Sequence, residues 1–325
     1  AYVARYFADF SASPLRPVLW TVAILVLTHL VITRGVRGGI ERASKLLMPT
    51  LFVLLLVVVV SSCLLPGASK GIDFLFRPDF SGVDRGVFLG ALGQSFYSLS
   101  IGMGCLCTFA SYFNRQTNLL KSAVQISVID TVIAVLAGLM IFPAAFSVGV
   151  KPDSGPSLIF ITLPSVFQQA FATMPLVGWA VALLFYSLLS LAALTSLISL
   201  HEVSTAFLCE EFRISRRRAA TLVTVLCSVI GVFCSLSLGA ANGLQICGKP
   251  LFDVFDFVTG QVFLPVGGFL TSILLGWFVP RRVVKDEFTD WGMLRSTFFG
   301  VYLFCVRFVC PVSIALIFLH QFGVI

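Results

Sequence analysis

Apolar residues along this chain come in runs too long for the helices of a water-soluble core, and polar residues gather between them. Eight runs are long enough to cross hydrocarbon roughly 30 Å thick. They lie near residues 17–33, 46–65, 86–112, 122–148, 176–207, 219–240, 252–279 and 293–320. The pattern predicts an all-α membrane protein of eight transmembrane helices. The 176–207 run is longer than a perpendicular span requires, which predicts tilt or projection into the cytoplasm.

The third run is interrupted. Apolar residues lead in from Val87 and out through Phe113, but residues 94–104 read Gln-Ser-Phe-Tyr-Ser-Leu-Ser-Ile-Gly-Met-Gly. Ser98, Ser100, Gly102 and Gly104 lower helix propensity and supply hydroxyl groups. An unpaired backbone group in hydrocarbon costs roughly 2–7 kcal/mol, so unwound chain survives at that depth only where it lines a protein or aqueous cavity. A helix broken at mid-membrane is a pointer to a transporter's substrate and ion site. Small residues that let two helices approach closely would give a similar pattern.

Composition agrees with the pattern: 58% of residues are hydrophobic and 11% charged, and the mean hydropathy is +1.00. The net charge of +7 is distributed by topology. Assigned to alternate sides, the loops place Arg34, Arg37, Arg42, Lys45, Arg115, Lys121, Arg213, Arg216, Arg217, Arg218, Arg281, Arg282, Lys285 and Arg295 together, 14 of the 22 basic residues. The other side holds Arg5, Arg16, Lys70, Arg77, Arg85, Lys151 and Lys249, with Arg307 inside a span. The positive-inside rule places the richer set in the cytoplasm and both chain ends outside. The 210–218 run is then an orientation signal and not a nucleic-acid patch. An outside start with no leader also predicts that further helices precede residue 1.

Enzyme motifs fail on inspection. His201-Glu202 begins like a zinc-protease motif, but Thr205 stands where the second histidine belongs, and neither a nucleophile elbow nor a phosphate loop is present. The nine cysteines read as free thiols, since Cys105-Leu-Cys107 lacks zinc spacing. His29, His201 and His320 read as packed or interfacial. Four charges fall within spans: Asp130, Glu202, Asp256 and Arg307. Charge at that depth faces a cavity or a partner. Glu202 and Arg307 read as structural pairs. Ala192, Thr195 and Ser196 share one helix face, which suits close packing or oxygen coordination of a small cation.

Ala91 to Gly104, followed by Thr108-Phe-Ala-Ser-Tyr112, resembles the sixth helix of the bacterial neurotransmitter:sodium symporters. Arg37 to Lys45 is similar to the loop before that family's fifth helix, Ala137 to Pro143 to its seventh, Gly155 to Pro164 to its re-entrant outer loop, and Ala192 to Ser196 to its eighth. The resemblance covers nearly the whole chain and implies a partial LeuT-type inverted-repeat fold. The eight spans then match the family's helices four to eleven, in one transporter domain over residues 1–325. Residues 1–17 would be outer loop and 149–175 the re-entrant loop.

The resemblance implies a role for each matched residue. Tyr97 corresponds to the lid over the substrate, Ser98 and Ser100 to unwound residues meeting the amino-acid backbone, and Met103, Ser196 and Leu200 to the side-chain pocket. Ser98 and Asp130 correspond to a first sodium site; Ala192, Thr195 and Ser196 correspond to a second. Both sites are incomplete without the family's first helix. Asp256 and Glu210 correspond to the outer and inner gates.

The implied activity, that of an intact parent, is sodium-coupled symport of neutral, hydrophobic or aromatic amino acids in a bacterial plasma membrane. The stretch alone would not transport. Chloride would not be required, because Asp130 is already a fixed negative charge near the first sodium, and that acid could take up a proton when sodium leaves. The partners implied are the amino acid and the bilayer, with a homo-oligomer left open. Competing readings are another LeuT-fold transporter, or a sensor or channel on the same fold.

Overall fold

A helix that spans a membrane must satisfy its own backbone, and in the computed structural model the apolar runs are helical nearly throughout. Residues 2–78, 80–113, 117–147, 158–172, 174–238, 245–246, 248–289 and 298–322 are described. Arg115, Lys151, Cys247, Arg295 and residues 149–157 of the expected re-entrant loop lie outside them.

Seven helices among the described residues are long and apolar enough to cross a membrane: Arg16–Thr33, Gly38–Cys63, Leu119–Ser147, Pro175–Glu211, Arg216–Ser237, Leu251–Phe278 and Phe299–Gln321. They correspond to seven of the eight expected runs. At most 22% of any of their most apolar windows is buried, so their apolar faces need lipid or further protein against them. The eighth run is the interrupted one. It forms two short helices with irregular chain between them.

The elements in chain order are α1 (Tyr2–Ala12), α2 (Arg16–Thr33), α3 (Arg42–Cys63), α4 (Ala68–Phe76), α5 (Arg85–Ser98), α6 (Cys105–Ser111), α7 (Leu119–Ser147), α8 (Leu163–Ala170), α9 (Pro175–Glu211), α10 (Arg216–Ser237), α11 (Leu251–Asp256), α12 (Leu264–Ile273), α13 (Arg281–Phe288), α14 (Phe299–Phe304) and α15 (Cys310–Gln321). Wider π-helical turns cover Val36–Glu41, Leu158–Thr162, Phe257–Phe263, Leu274–Phe278 and Cys305–Val309. Among the described residues the strands are a pairing of two-residue segments, Gln245–Ile246 with Lys249–Pro250. Residues 2–12, within the expected outer loop, form a short helix. The 37-residue α9 is about 55 Å long at 1.5 Å per residue, well beyond a membrane's hydrocarbon, in line with the excess length of its run.

Contacts divide the chain into two units, residues 1–78 with 132–252, and residues 79–131 with 253–325. In the first, α10 packs on α2 and α9, and α3 packs on α9. Its core holds Leu55, Val58 and Val59 of α3, Met140 and Ala144 of α7, Leu163, Val166 and Phe167 of α8, and Val181 and Phe185 of α9. Phe167 and Phe185 meet edge to face at 5.4 Å, an arrangement favoured by the ring quadrupoles. The Tyr186 hydroxyl donates to the Ile159 carbonyl at 2.8 Å, which satisfies a carbonyl in the π-turn ahead of α8.

In the second unit α12 packs on α15 and α15 on α5, around Phe96, Leu264 and Ile314. Arg307 is structural. Its Nε donates to the carbonyl of Gly276 at 2.5 Å, one of the last four carbonyls before the helix stops at Phe278, which no later N–H of that helix reaches. The guanidinium also lies 5.6 Å from the centre of the Trp277 ring. A cation at a helix C-terminus compensates the local negative dipole, so a span can hold this charge.

Candidate functional site

The break is built from backbone outward. Asp84 caps α5, accepting from the Val87 N–H at 2.8 Å, and regular helix continues to Ser98. The chain then closes loosely: Ser100 N–H bonds to Tyr97, Ile101 N–H to Phe96 and Met103 N–H to Ser100. Ser100, Gly102 and Gly104 have φ of +53°, +93° and +80°, a region L-residues rarely enter. Gly104 in that conformation starts α6. Helix therefore stops at Ser98 and resumes at Cys105, inside the stretch where the sequence placed the interruption.

Glycine at 102 has a second reason. A Cβ there would lie 2.2 Å from the Leu264 carbonyl oxygen and 2.9 Å from the Gly268 nitrogen, and one on Gly267 would lie 2.7 Å from the Gly102 oxygen. The unwound segment thus rests backbone to backbone on α12. An apolar cavity of about 480 Å³ borders this contact, lined among others by Leu99, Gly102, Thr271 and Cys310.

At the end of α5 the Ser98 hydroxyl lies 2.9 Å from each carboxylate oxygen of Asp130. Asp130 does not cap α7, because Asn118 performs that task by accepting from the Lys121 N–H at 2.8 Å. Nor is an ion pair between Asp130 and Lys121 found among the described residues. Three oxygens, one carboxylate and one hydroxyl, therefore converge where regular helix ends. Oxygens at such separations fit neighbouring positions around a hard cation, whose ligands sit at about 2.3–2.6 Å in the calcium case.

Tyr97 and Asp256 line one cavity of about 360 Å³ with Gln94, Gln261, His320 and Gln321. The predicted lid and outer gate are thereby brought together. Met103 is half-buried against the cluster of Phe96, Leu264 and Ile314. Tyr97, Ser98, Ser100, Met103, Asp130 and Asp256 all belong to the second unit.

The other candidates belong to the first unit, on α9. Thr195 Oγ1 donates to the Ala192 carbonyl at 2.8 Å, which places two of the three expected ligands of the second sodium site side by side. Ser196, Leu200 and Glu210 are exposed on the same helix.

Glu202 forms a structural pair, as expected. It is fully buried, and Arg216 grips it through both guanidinium nitrogens, the Nη1 bond at 2.9 Å, while Arg216 Nε donates to the Ile32 carbonyl at 3.0 Å. Two charges out of water need this bidentate geometry to offset their desolvation. Sequence reasoning placed Arg216 among the orientation charges and missed its partner. The available signal was position: it opens α10 directly after a short loop from α9. Also missed was a hydrogen-bonded cluster of His29, His201, Thr205 and Thr224. The eight described cysteines are free thiols.

A model of the sodium:neurotransmitter symporter family matches residues 12–324. The chain belongs to that family. These symporters are sodium-dependent membrane transporters, not enzymes, and the broken helix is part of their LeuT-type fold. The chain is 34% identical to an uncharacterized sodium-dependent transporter, YhdH, of Bacillus subtilis, with 100% of this chain and 71% of that protein covered. It is 36% identical to an uncharacterized sodium-dependent transporter of Haemophilus influenzae, covering 98% of this chain and 69% of that one. Among solved structures, MhsT in complex with L-phenylalanine superposes with a TM-score of 0.84 at 37% identity, over 98% of this chain and 70% of MhsT.

Proposed function

We propose that the intact protein couples the inward sodium gradient to uptake of neutral amino acids with hydrophobic or aromatic side chains. The observation that carries this reading is the oxygen group formed by Ser98 and Asp130 at the end of the broken half-helix. It supplies a hard-cation site beside an unwound backbone able to meet an amino acid's amine and carboxylate. A first sodium would use Ser98 and Asp130; a second would use the Ala192 carbonyl with the Thr195 and Ser196 hydroxyls. Tyr97 would cover the substrate, Ser98 and Ser100 would meet its backbone, and Met103 would meet its side chain. Met103 favours apolar groups, the thioether adapting to bulky ones. The phenylalanine named in the MhsT complex supports the same class. The membrane would be the bacterial plasma membrane, with both ends of this stretch outside.

The test is uptake of radiolabelled phenylalanine and leucine into proteoliposomes holding the full-length protein, with an inward sodium gradient and with potassium replacing sodium. Sodium-driven accumulation of either supports the reading. Accumulation of a charged amino acid in their place overturns the substrate class, and sodium-independent uptake overturns the coupling. Chloride should be dispensable: replacing it with gluconate is expected to leave the rate unchanged, and a collapsed rate would remove Asp130 as the fixed countercharge.

Asp256 is proposed as the outer gate. Asp256→Ala should lower uptake at least about tenfold while leaving the protein in the membrane, because a gate lost at about 1.4 kcal/mol or more of occlusion energy costs that factor. Wild-type uptake by this variant would exclude it from the mechanism.

A further inference from the structure

Helices α2, α9 and α10 meet around a run of polar side chains buried in the first unit. His201, Thr205 and Thr224 are 5%, 0% and 8% exposed. The Thr224 hydroxyl donates to the Ala220 carbonyl at 2.8 Å, so its oxygen can only accept from the two histidines that reach it. His29 approaches through Nδ1 at 3.0 Å, and His201 through Nε2 at 2.9 Å. Both of those nitrogens must carry hydrogen. In a neutral His201 ring the other nitrogen, Nδ1, is then a bare acceptor. It faces Thr205 Oγ1 at 3.0 Å, which donates to it. Hydrogen-bonding capacity thus fixes the tautomer of a ring that solvent barely reaches, and leaves Nδ1 as the basic nitrogen of that ring, the one on the residue adjoining Glu202.

The titratable and charged groups that act on His201 are His29 from α2, Glu202 from α9 and Arg216 from α10. While Arg216 grips Glu202, that pair is neutral as a whole, and a proton on His201 would add an uncompensated positive charge to a buried site. Once Arg216 withdraws, the fully buried Glu202 loses its bidentate partner, and an imidazolium on the adjoining residue supplies countercharge. The Thr205 hydroxyl need only rotate from donor to acceptor for both ring nitrogens to stay bonded. Of the two, Arg216 is the partner that solvent reaches, its side chain retaining 27% exposure against 0% for Glu202, and its withdrawal would also release the Ile32 carbonyl.

We propose that the chain His29–Thr224–His201–Thr205 is a binding site for one proton, taken up on His201 Nδ1 when Arg216 releases Glu202. Proton uptake and release of the ion pair are then linked, and each favours the other by the same factor. A transporter so built senses acidity at the end of α9 where α10 begins. This site is separate from the sodium ligands on α9 and holds whatever solute is carried.

The test labels the full-length protein with ¹⁵N-histidine in lipid nanodiscs and records ring nitrogen signals by solid-state NMR, assigning His201 from the signal lost in His201→Gln. At pH 7.5 the wild-type ring should be neutral with hydrogen on Nε2. In Arg216→Ala its proton affinity should rise by about tenfold or more. An unchanged titration in Arg216→Ala, or hydrogen on Nδ1 in the neutral wild type, overturns the proposal. Should Arg216→Ala fail to fold, amide hydrogen exchange over residues 201–224 decides it, corrected for the pH dependence of the chemical rate. Protection in the wild type should fall between pH 7.5 and 5.5 and should hold in His201→Gln, which keeps the donor to Thr224 and cannot take the proton. The same fall in both proteins overturns the proposal.

Discussion

Asp130→Asn is expected to abolish sodium-driven uptake by the full-length protein while leaving it folded in the membrane. The amide keeps the shape of the carboxylate and can still accept from Ser98, so the change removes charge and little else. At an effective dielectric constant near 20, a charge pair about 4 Å apart is worth roughly 4 kcal/mol before desolvation, equivalent to several hundredfold in sodium affinity. Sodium titrations of substrate binding should therefore shift by two orders of magnitude or saturate nowhere. A mobile anion can replace the missing charge only if it reaches the same place, so chloride added to Asp130→Asn is the informative second measurement. Restored uptake would show that the site needs a negative charge and not this residue. Wild-type sodium dependence in the variant would sink the assignment of Asp130 to a cation.

Gly102→Ala should be as damaging by a different route. Its Cβ would fall on the Leu264 carbonyl oxygen and near the Gly268 nitrogen, and backbone atoms cannot swing aside as a side chain can. The φ of +93° adds strain of about 1–3 kcal/mol for a residue with a Cβ. Together these should lift the unwound segment off α12, lower the thermal unfolding midpoint by several degrees and abolish substrate binding. Gly300→Ala is the control, since nothing lies within 4 Å of a Cβ there and helix favours alanine. Equal behaviour of the two variants would show that the close approach at Gly102 is not required.

The spans were readable because membrane crossing demands long apolar runs, and the interruption because Ser98, Ser100, Gly102 and Gly104 are poor helix formers in such surroundings. Contacts between distant residues were not readable from pattern. Ser98 and Asp130 are 32 positions apart, and only resemblance to a family suggested joining them. Arg307 could be suspected of a structural role, but its carbonyl partner is 31 residues away, and the π-helical turns leave no mark in hydropathy. Thr224 is an ordinary helix residue by sequence, and nothing local says that it gathers two histidines from other helices. The short helix at residues 2–12 lies ahead of the first long apolar run, where a pattern read for membrane spans gives no signal.

The contact between the unwound segment and α12 is made by main chain, at positions where any side chain would intrude. The scaffold that holds the break open is therefore chemically anonymous. Met103 packs against Leu264 and so belongs partly to the frame. Under the proposed function, Tyr97 and Ser100 would instead meet the solute without taking part in this glycine contact. Selection or design could then change what the protein carries by exchanging those two side chains while the frame stays fixed. Substitutions at Gly102, Gly267 or Gly268 have no such freedom. A library aimed at new solutes should vary the former set and leave these three glycines untouched.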